Sequence, residues 1–135
     1  MPNRQVLYAR VSRVENFMNM LLTKYKVSGH IFISNLPVTI RTEWEDMVLI
    51  DVGKGNDMNA YNSFSVNVYL YAKPQGDLQQ KNVIMIDAME ETFGRAVAEC
   101  NDKHYHPVIN WRDSDYDTTR NFHFNMINLT ITVTE

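Results

Sequence analysis

Cysteine is almost absent from this chain, which carries one, Cys100, among its 135 residues. A single thiol excludes an internal disulfide and any metal site built from several thiolates. Cys100 falls in an apolar helical pattern, and no His or Asn arrangement nearby marks a catalytic partner. We therefore interpret it as a small buried side chain with no chemical role.

Long apolar runs are also missing. No window approaches the roughly 18 to 20 consecutive apolar residues that a membrane-spanning helix needs, and MPNRQVLYAR lacks the hydrophobic segment of a signal peptide. Charged residues make up 21% and hydrophobic residues 44% of the chain, which is ordinary globular usage. We expect one globular domain over residues 1–135, kept in the cytosol and making no membrane contact.

An excess of positive charge is missing too, since the net charge is -3. Proteins that bind nucleic acids non-specifically usually carry a positive excess, so we expect no such partner. The charge is nevertheless uneven, because residues 1–26 are basic and residues 87–117 are acidic. Such a split would suit head-to-tail contact between copies of the chain, and two solvated helix faces would produce the same pattern.

Apolar residues recur at three- and four-residue spacing in two segments, which predicts amphipathic helices at 5–26 and 78–100. Asp77 is a plausible N-cap of the second helix. Gly94 lies inside it, and we expect close packing against a sheet there. The predicted buried stripes are Leu7, Val11, Val14, Met18, Leu21, Leu22 and Tyr25 in the first helix, and Ile86, Met89, Phe93, Ala96, Val97 and Cys100 in the second.

Two strands are predicted around a long loop. MVLIDV is a nearly continuous apolar run, typical of a strand covered on both faces, and SFSVNVYLYA alternates apolar with polar or tyrosine residues. The loop GKGNDMNAYN, residues 53–62, joins them as a hairpin. Tyr69 and Tyr71 would share an exposed face, and because basic residues do not alternate with them, we favour packing by a helix or a neighbouring subunit over base stacking.

The C-terminal NFHFNMINLTITVTE changes the phase of its apolar alternation part-way. Phe122, Phe124 and Met126 share one face of a strand, whereas the following isoleucines and leucine share the other. We predict a β-bulge near Met126 and Ile127. The competing explanation is that the early part of the strand is covered on the opposite face by a helix or a partner. HYHPVINWR is a further strand candidate, and DSDYDTTR is predicted to be a polar connection.

A metal site is the sharpest enzyme-like hypothesis. His104 and His106 alternate along the predicted strand and would point to one side, with carboxylates and one more histidine in the hairpin that follows. A polar hairpin explains the same residues, and DSDYD lacks the glycine and the closing glutamate of a calcium loop. The alternative function is thus a small metal-binding or metal-dependent enzyme domain using His104, His106, Asp113, Asp115, Asp117 and His123.

A resemblance to a known family rests on three stretches. SFSVNVYLYAKPQGD followed by KNVIMIDAMEETFGRAV resembles the central strand, polar turn and helix of the tail terminator and tail-completion proteins of long-tailed bacteriophages and prophages. NFHFNMINLTITVTE resembles the closing strand of that family. The segment from His104 to Pro107 has no counterpart in this resemblance.

The predicted elements form an α+β domain with a mainly antiparallel sheet of about four to six strands and two helices packed on it. The resemblance implies an α/β subunit of the tail-terminator type. It implies a non-enzymatic virion protein without a cofactor, assembled in host cytoplasm as a ring, commonly a hexamer. The ring would cap the tail tube and meet the head-side connector; another head-tail joining protein is the further possibility. The expected partner contacts are the long loop, with Gly53, Lys54, Asn56, Asp57 and Met58, and the tyrosines Tyr69 and Tyr71.

Overall fold

Two helices and six strands make up the part of the chain that the computed structural model describes, residues 10–53, 56–57, 62–76 and 80–134. The elements follow in this order: α1 Val11–Lys24, β1 Ile31–Ile33, β2 Asp46–Val52, β3 Asn56–Asp57, β4 Asn62–Ala72, α2 Val83–Ala98, β5 Tyr105–Asp117 and β6 Phe122–Val133. The predicted strand pair around a long loop is confirmed as β2 and β4.

The strands form one sheet in the order β1-β2-β4-β6-β5, with the short β3 paired to β4. β1 runs parallel to β2, and every other pairing is antiparallel. The predicted α+β class, with a mainly antiparallel sheet and two helices, is therefore confirmed. β1 and β5 are the two edges of the sheet.

Both helices lie on one face of the sheet, which we call the helix face. α1 packs on β1 and β2, whereas α2 packs on β4 and β5. Their inward stripes meet alternate residues of the strands, and side chains such as Met18, Leu22, Phe93, Val66 and Leu129 are fully buried there. Among the described residues, no helix is long and apolar enough to cross a membrane.

Both helices are shorter than their apolar patterns predicted. Arg10 has extended backbone, so α1 begins at Val11 rather than at residue 5, and residues 5–9 lie outside the described part of the chain. α2 begins at Val83 because Asn82 acts as N-cap, its side chain accepting a hydrogen bond from the Met85 N–H at 3.2 Å. The predicted N-cap, Asp77, lies outside the described residues.

The phase change in the last strand has a different cause from the one predicted. β6 pairs with β4 in continuous register from His123 to Val133, so the predicted bulge near Met126 and Ile127 is wrong. The competing explanation holds in part, because the early residues are covered on the second face, but by the connection between β1 and β2 rather than by a helix or a partner. Phe122 is buried there against Leu36 of that connection. The later apolar residues of β6, from Ile127 to Val133, face the helices instead.

The predicted polar connection DSDYDTTR is largely a strand. β5 continues to Asp117, and the chain reverses in the four residues that follow it. Asp117 organises that turn, since its Oδ1 accepts hydrogen bonds from the backbone N–H groups of Thr119 and Arg120, both at 3.0 Å. Because aspartates are common in loops, the composition predicted a loop here. Two of these aspartates instead lie on an exposed strand, where solvent reaches their side chains.

The sheet does contain a bulge, in β5. The register with β6 shifts between Ile109 and Trp111, so Asn110 is an extra residue. Asn110 and Trp111 both belong to the second face as a result, because Trp111 pairs with Asn128 and the Asn110 amide bonds to Asn128 and Thr130. A bulge in an edge strand re-aims side chains and disrupts regular pairing beyond it.

Gly94 does not pack closely against the sheet, contrary to the prediction. A Cβ at this position would meet no heavy atom within 4 Å. Glycine is therefore not required there by space, and nothing in the structure explains its presence in α2. Gly53 differs, because a Cβ there would lie 3.1 Å from the Ser65 carbonyl oxygen across the hairpin.

Candidate functional site

The two histidines of the metal hypothesis both contact one residue, Thr134. His104 Nδ1 lies 3.1 Å from the Thr134 carbonyl oxygen, and His106 Nε2 lies 2.9 Å from its hydroxyl oxygen. These contacts hold the end of the chain against the start of β5. The histidines thus have a structural partner that the sequence pattern did not predict.

The carboxylates of the metal hypothesis lie elsewhere on the same strand. Asp113 follows His106 by seven residues of extended chain, a separation of about 20 Å along β5. His123 lies at the turn end of the hairpin, where its ring meets that of Tyr116 edge to face with centroids 4.6 Å apart. No group of three or more His, Cys, Asp or Glu suited to a metal occurs in the described ranges.

Asp113 and Asp115 act on their own strand instead. The Asp113 Oδ1 accepts a hydrogen bond from the Ser114 N–H at 2.8 Å, and the Asp115 Oδ1 accepts one from the Tyr116 N–H at 2.7 Å. Two backbone donors of the edge strand are thereby occupied by side chains. Charged side chains on an edge strand are a common protection against pairing with other strands.

The predicted contact loop is described only in part. Gly53 donates its N–H to the Ser65 carbonyl at 2.8 Å, and Asn56 and Asp57 form β3 by pairing with Ser63 and Asn62. Lys54 and Met58 lie outside the described residues. In its described part the loop pairs with β4, and the contact role of its residues stays a prediction.

Tyr69 is half-buried and lines a shallow cavity of about 240 Å³ on the second face. Asp113, Asp115, Phe124 and Met126 line the same cavity. Partial burial raises the pKa of the Tyr69 phenol, and the nearby charge of Asp51 raises it further. Tyr69 remains a candidate for partner contact, with a neutral phenol at ordinary pH.

Tyr71 is buried, so the prediction that it is exposed is wrong. Only 5% of it is accessible, and it packs with Leu36, Met47 and Phe122 in the small core of the second face. Burial raises the pKa of Tyr71 to about 12. The alternation in β4 correctly placed the two tyrosines on one face, but the sequence did not reveal that the β1–β2 connection covers one end of it.

The open end of the second face carries a network of amides and hydroxyls. Asn128, 9% exposed, donates through Nδ2 to Asn67 at 2.8 Å and to Ser65 at 3.2 Å. Its Oδ1 accepts from Asn110 at 2.9 Å, and Asn110 also donates to Thr130 at 2.8 Å. The network joins β4, β6 and β5, and it satisfies the polar groups of the one buried member.

Three large apolar side chains are exposed together on β5. Val108 is 59%, Trp111 49% and Ile109 41% accessible to solvent. Val108 and Trp111 belong to the second face, and Ile109, which pairs with Leu129, belongs to the helix face. Sequence reasoning missed this group, and the available signal was PVINW itself, which is apolar on both faces of an extended segment. We call these three residues the edge patch.

The basic helix α1 and the acidic segment 80–117 lie at different sides of the sheet. α1, with Arg13 and Lys24 exposed, lies over β1 and β2 at one side of the sheet. The opposite side is formed by α2 and β5, and residues 80–117 hold eight acidic and four basic residues, a net charge of -4. Among them, Asp87, Glu91, Asp113 and Asp115 are exposed. Residues 10–53 together carry five basic and five acidic residues, so the basic surface is that of α1 and its ends rather than of the whole β1 side, whereas the α2–β5 side is acidic.

A second cavity of about 260 Å³ lies where the C-terminal ends of the two helices meet. Phe17, Leu21 and Tyr25 form part of its wall, together with Glu99 and Cys100. Desolvation raises the pKa of the Tyr25 phenol, and the carboxylate of Glu99 raises it further. Cys100, half-exposed at this rim, is not the buried side chain that the sequence pattern predicted.

Comparison with known proteins adds no relative from which a role could be transferred. No protein-family model matches the chain, and the search of curated proteins finds no match.

Proposed function

We propose that this chain is a non-enzymatic assembly protein of a phage or prophage, a tail terminator that forms a ring on the tail tube. The proposal takes its family from the sequence resemblance and its physical support from the surface of the fold. The ring would complete the tube and offer a face to the head-side connector, first in host cytoplasm and then in the virion.

The observation that carries the proposal is the opposite charge of the helix α1 at one side of the sheet and of the α2–β5 side at the other. A head-to-tail contact joins different surfaces of identical subunits, so it is favoured when one side is basic and the other acidic. Repetition of such a contact closes into a ring when the rotation between subunits permits it. Arg13 on one side and Asp87 on the other are the kind of exposed charges that such a contact brings together.

Exposed apolar side chains at the acidic side support the same surface as a contact between subunits. Interfaces are enriched in aromatic residues and depleted of charge at their centres, and Trp111 lies between the edge of the sheet and the open second face. Val108 and Ile109 extend this surface across the edge strand. An apolar centre with charged surroundings matches the usual anatomy of a protein interface.

A charge-reversal experiment tests the assembly step. We expect Arg13→Glu to raise the dissociation constant of the oligomer, by up to about five-fold for each surface ion pair lost, and to remove the weakening by salt that the wild-type assembly should show. Lys103→Glu is the matched control, since it changes the net charge equally but adds to the acidic side. Equal weakening by both variants would argue against a contact between opposite sides.

A reconstitution experiment tests the tail function itself. The probe is the major tail tube protein encoded in the same genome neighbourhood, polymerised with and without this chain and imaged by electron microscopy. We expect a ring density at one tube end and an arrest of elongation. Unchanged tube lengths and bare ends would contradict the proposed function even if the chain oligomerises.

The contact loop gives a further test of the tube-facing surface. Replacing Asp57 and Met58 together should leave folding intact and impair tail completion, because the loop is the predicted contact with the tube. Particle yield in a complementation assay, beside the circular dichroism of the purified variant, measures both. Normal particle yield would remove this loop from the proposed contact.

A further inference from the structure

The outer side of β1 offers few backbone groups, and its hydrogen bonds to β2 identify them. The His30 carbonyl accepts from the Val48 N–H at 2.8 Å, and the Ser34 N–H donates to the Ile50 carbonyl at 2.9 Å. Residues 30, 32 and 34 therefore direct their groups toward β2. Since the direction alternates along a strand, residues 31 and 33 direct theirs away from the sheet.

One of these outward groups is already used. The Ile33 carbonyl accepts a hydrogen bond from the Asn35 N–H at 2.8 Å. Ile31 has no such local bond in the described part of the chain, nor does the Ile33 N–H. The edge of β1 thus offers a donor and an acceptor at Ile31, and only a donor at Ile33.

The same reasoning identifies the outward residues at the start of β5. Thr134 donates its N–H to the His104 carbonyl at 2.8 Å, so His104 faces β6. By alternation, Tyr105, Pro107 and Ile109 direct their backbone groups away from β6. Pro107 has no N–H to donate, and an outward position on an edge strand is where a proline is tolerated.

Most of the remaining donors on this edge are occupied. The Tyr105 N–H donates to Asp102 Oδ1 at 3.1 Å, and the N–H groups of Ser114 and Tyr116 donate to the aspartates that precede them. Side chains therefore cover both ends of β5. The part left open runs from Pro107 to Arg112, and it coincides with the edge patch.

We propose that β1 of one copy pairs with the open part of β5 of the next copy, with Ile31 opposite Ile109 and Ile33 opposite Pro107. This inference rests on the proposed assembly and specifies its interface. Ile31 and Ile109 would exchange two hydrogen bonds, and the Ile33 N–H would donate to the Pro107 carbonyl. The one missing donor, at Pro107, faces the one carbonyl that Asn35 already satisfies.

Strand direction agrees with this pairing. β1 and β2 run parallel, and three successive antiparallel pairings lead from β2 through β4 and β6 to β5. β5 therefore runs opposite to β1. When a second copy is placed beside the first with its helices on the same face, β1 meets β5 antiparallel, and one sheet continues from subunit to subunit.

The side chains also match across the proposed pair. Ile31 packs with the helix-face core and Ile109 belongs to the same face, so the two isoleucines would be neighbours. Phe32 packs with the second-face core and would lie beside Val108. The pairing thus covers two members of the edge patch, and it places Trp111 toward the stacked rings of His30 and Trp44.

The helices bring opposite charges together in the same arrangement. α1 lies over β1, and α2 lies over the side of the sheet that ends in β5. In adjacent copies the basic α1 would therefore stand next to the acidic α2. The same arrangement pairs the open backbone groups, covers exposed apolar side chains and brings opposite charges together. For these reasons the partner that we propose for this edge is a second copy of the chain.

Interchain disulfide formation tests the register. Residues 32 and 108 would form a non-hydrogen-bonded pair, in which the Cα atoms lie about 4.5 Å apart, within the range of a disulfide. One chain carries Phe32→Cys and the other Val108→Cys, both with Cys100→Ser, and they are mixed in a glutathione redox buffer. We expect a covalent dimer joining the two different chains. The control pair, Ser34→Cys with Val108→Cys, is two residues out of register and should give none.

Four results would overturn the proposed interface, and they differ in whether they also contradict the proposed function. A dimer formed equally by the control pair, or no dimer from the test pair while the full-length chain still oligomerises, rejects this interface and leaves the ring. Dimers joining two Val108→Cys chains would indicate a two-fold contact instead. A wild-type chain that stays monomeric rejects both the interface and the proposed function.

Hydrogen exchange of the wild-type chain provides a second measurement that needs no substitution. In the oligomer, the amides of Ile31, Ile33 and Ile109 should exchange more slowly than in the monomer obtained by dilution. The Ser114 amide, bonded to Asp113 within its own chain, should exchange equally in both. Unchanged exchange at Ile31 and Ile109 on assembly would contradict the pairing.

Discussion

The two faces of the sheet are built differently. The helix face is apolar along the length of β4 and is covered by α1 and α2, so residues such as Val66 and Leu70 are fully buried. The second face is covered at one end by the β1–β2 connection, and at the other end it carries the amide network of Asn128. The helix face therefore supplies most of the core, and the second face supplies an accessible surface.

The largest effect is expected from a change on the helix face. Phe93 of α2 is fully buried in the main core. Phe93→Ala should lower the free energy of unfolding by about 3 to 5 kcal/mol, through lost apolar burial and the cavity left behind. Urea unfolding measures this. Trp111→Ala, a larger truncation on the exposed edge, is the control, and a similar loss there would contradict the contrast between the two surfaces.

A smaller effect is expected from the polar end of the second face. Asn128→Ala removes the residue that links Ser65 and Asn67 to Asn110, and these partners, which solvent reaches, can bind water in its place. We expect a loss of about 0.5 to 1.5 kcal/mol in the free energy of unfolding. Thr132→Ala, on the same face outside the network, should cost less, and equal losses would mean that the network adds nothing.

The covered end of the second face should respond to alkaline pH. Folded Tyr71 keeps its proton until about pH 12, whereas the same phenol in the unfolded chain ionises near pH 10. The unfolded state therefore loses the proton first, and stability should fall as pH rises from 10 to 12. Tyr71→Phe should reduce the slope in that window. A slope unchanged by the substitution would contradict the burial of this hydroxyl.

The smallest effect is expected from a helix position that touches neither face closely. Gly94→Ala should raise the free energy of unfolding by about 0.5 to 1 kcal/mol, because a Cβ has open space there and alanine favours the helix. Thermal unfolding measures the gain. Gly53→Ala should have the opposite sign, since its Cβ would press on the Ser65 carbonyl. Destabilisation by Gly94→Ala would instead mean that this glycine packs closely against its neighbours.

Periodicity predicted the parts of this fold that one element determines by itself. The stripes of Val14, Met18 and Leu22 and of Ile86, Met89 and Phe93 identified both helices and their buried sides. The alternation in β4 assigned each of its residues to the correct face. These patterns are local, since a helix or strand places its side chains by its own geometry.

What depended on distant parts of the chain was not predictable in the same way. The phase change in β6 could be explained only by knowing that the β1–β2 connection, with Leu36, covers one end of the second face. The aspartates of β5 were predicted to lie in a loop because no local pattern distinguishes an edge strand. The edge patch was missed because only the strand order shows that β5 lies at an edge of the sheet. The candidate surface is thus a property of strand order, which no single segment encodes.

The central claim is that copies of this chain join head to tail through opposite sides of the sheet, and the mass of the assembly tests it most directly. Native mass spectrometry of the full chain at low ionic strength should show one closed oligomer of fixed subunit number, which Arg13→Glu shifts toward monomer and Lys103→Glu does not. A monomer at every concentration, or a two-fold dimer that grows no further, would contradict the account.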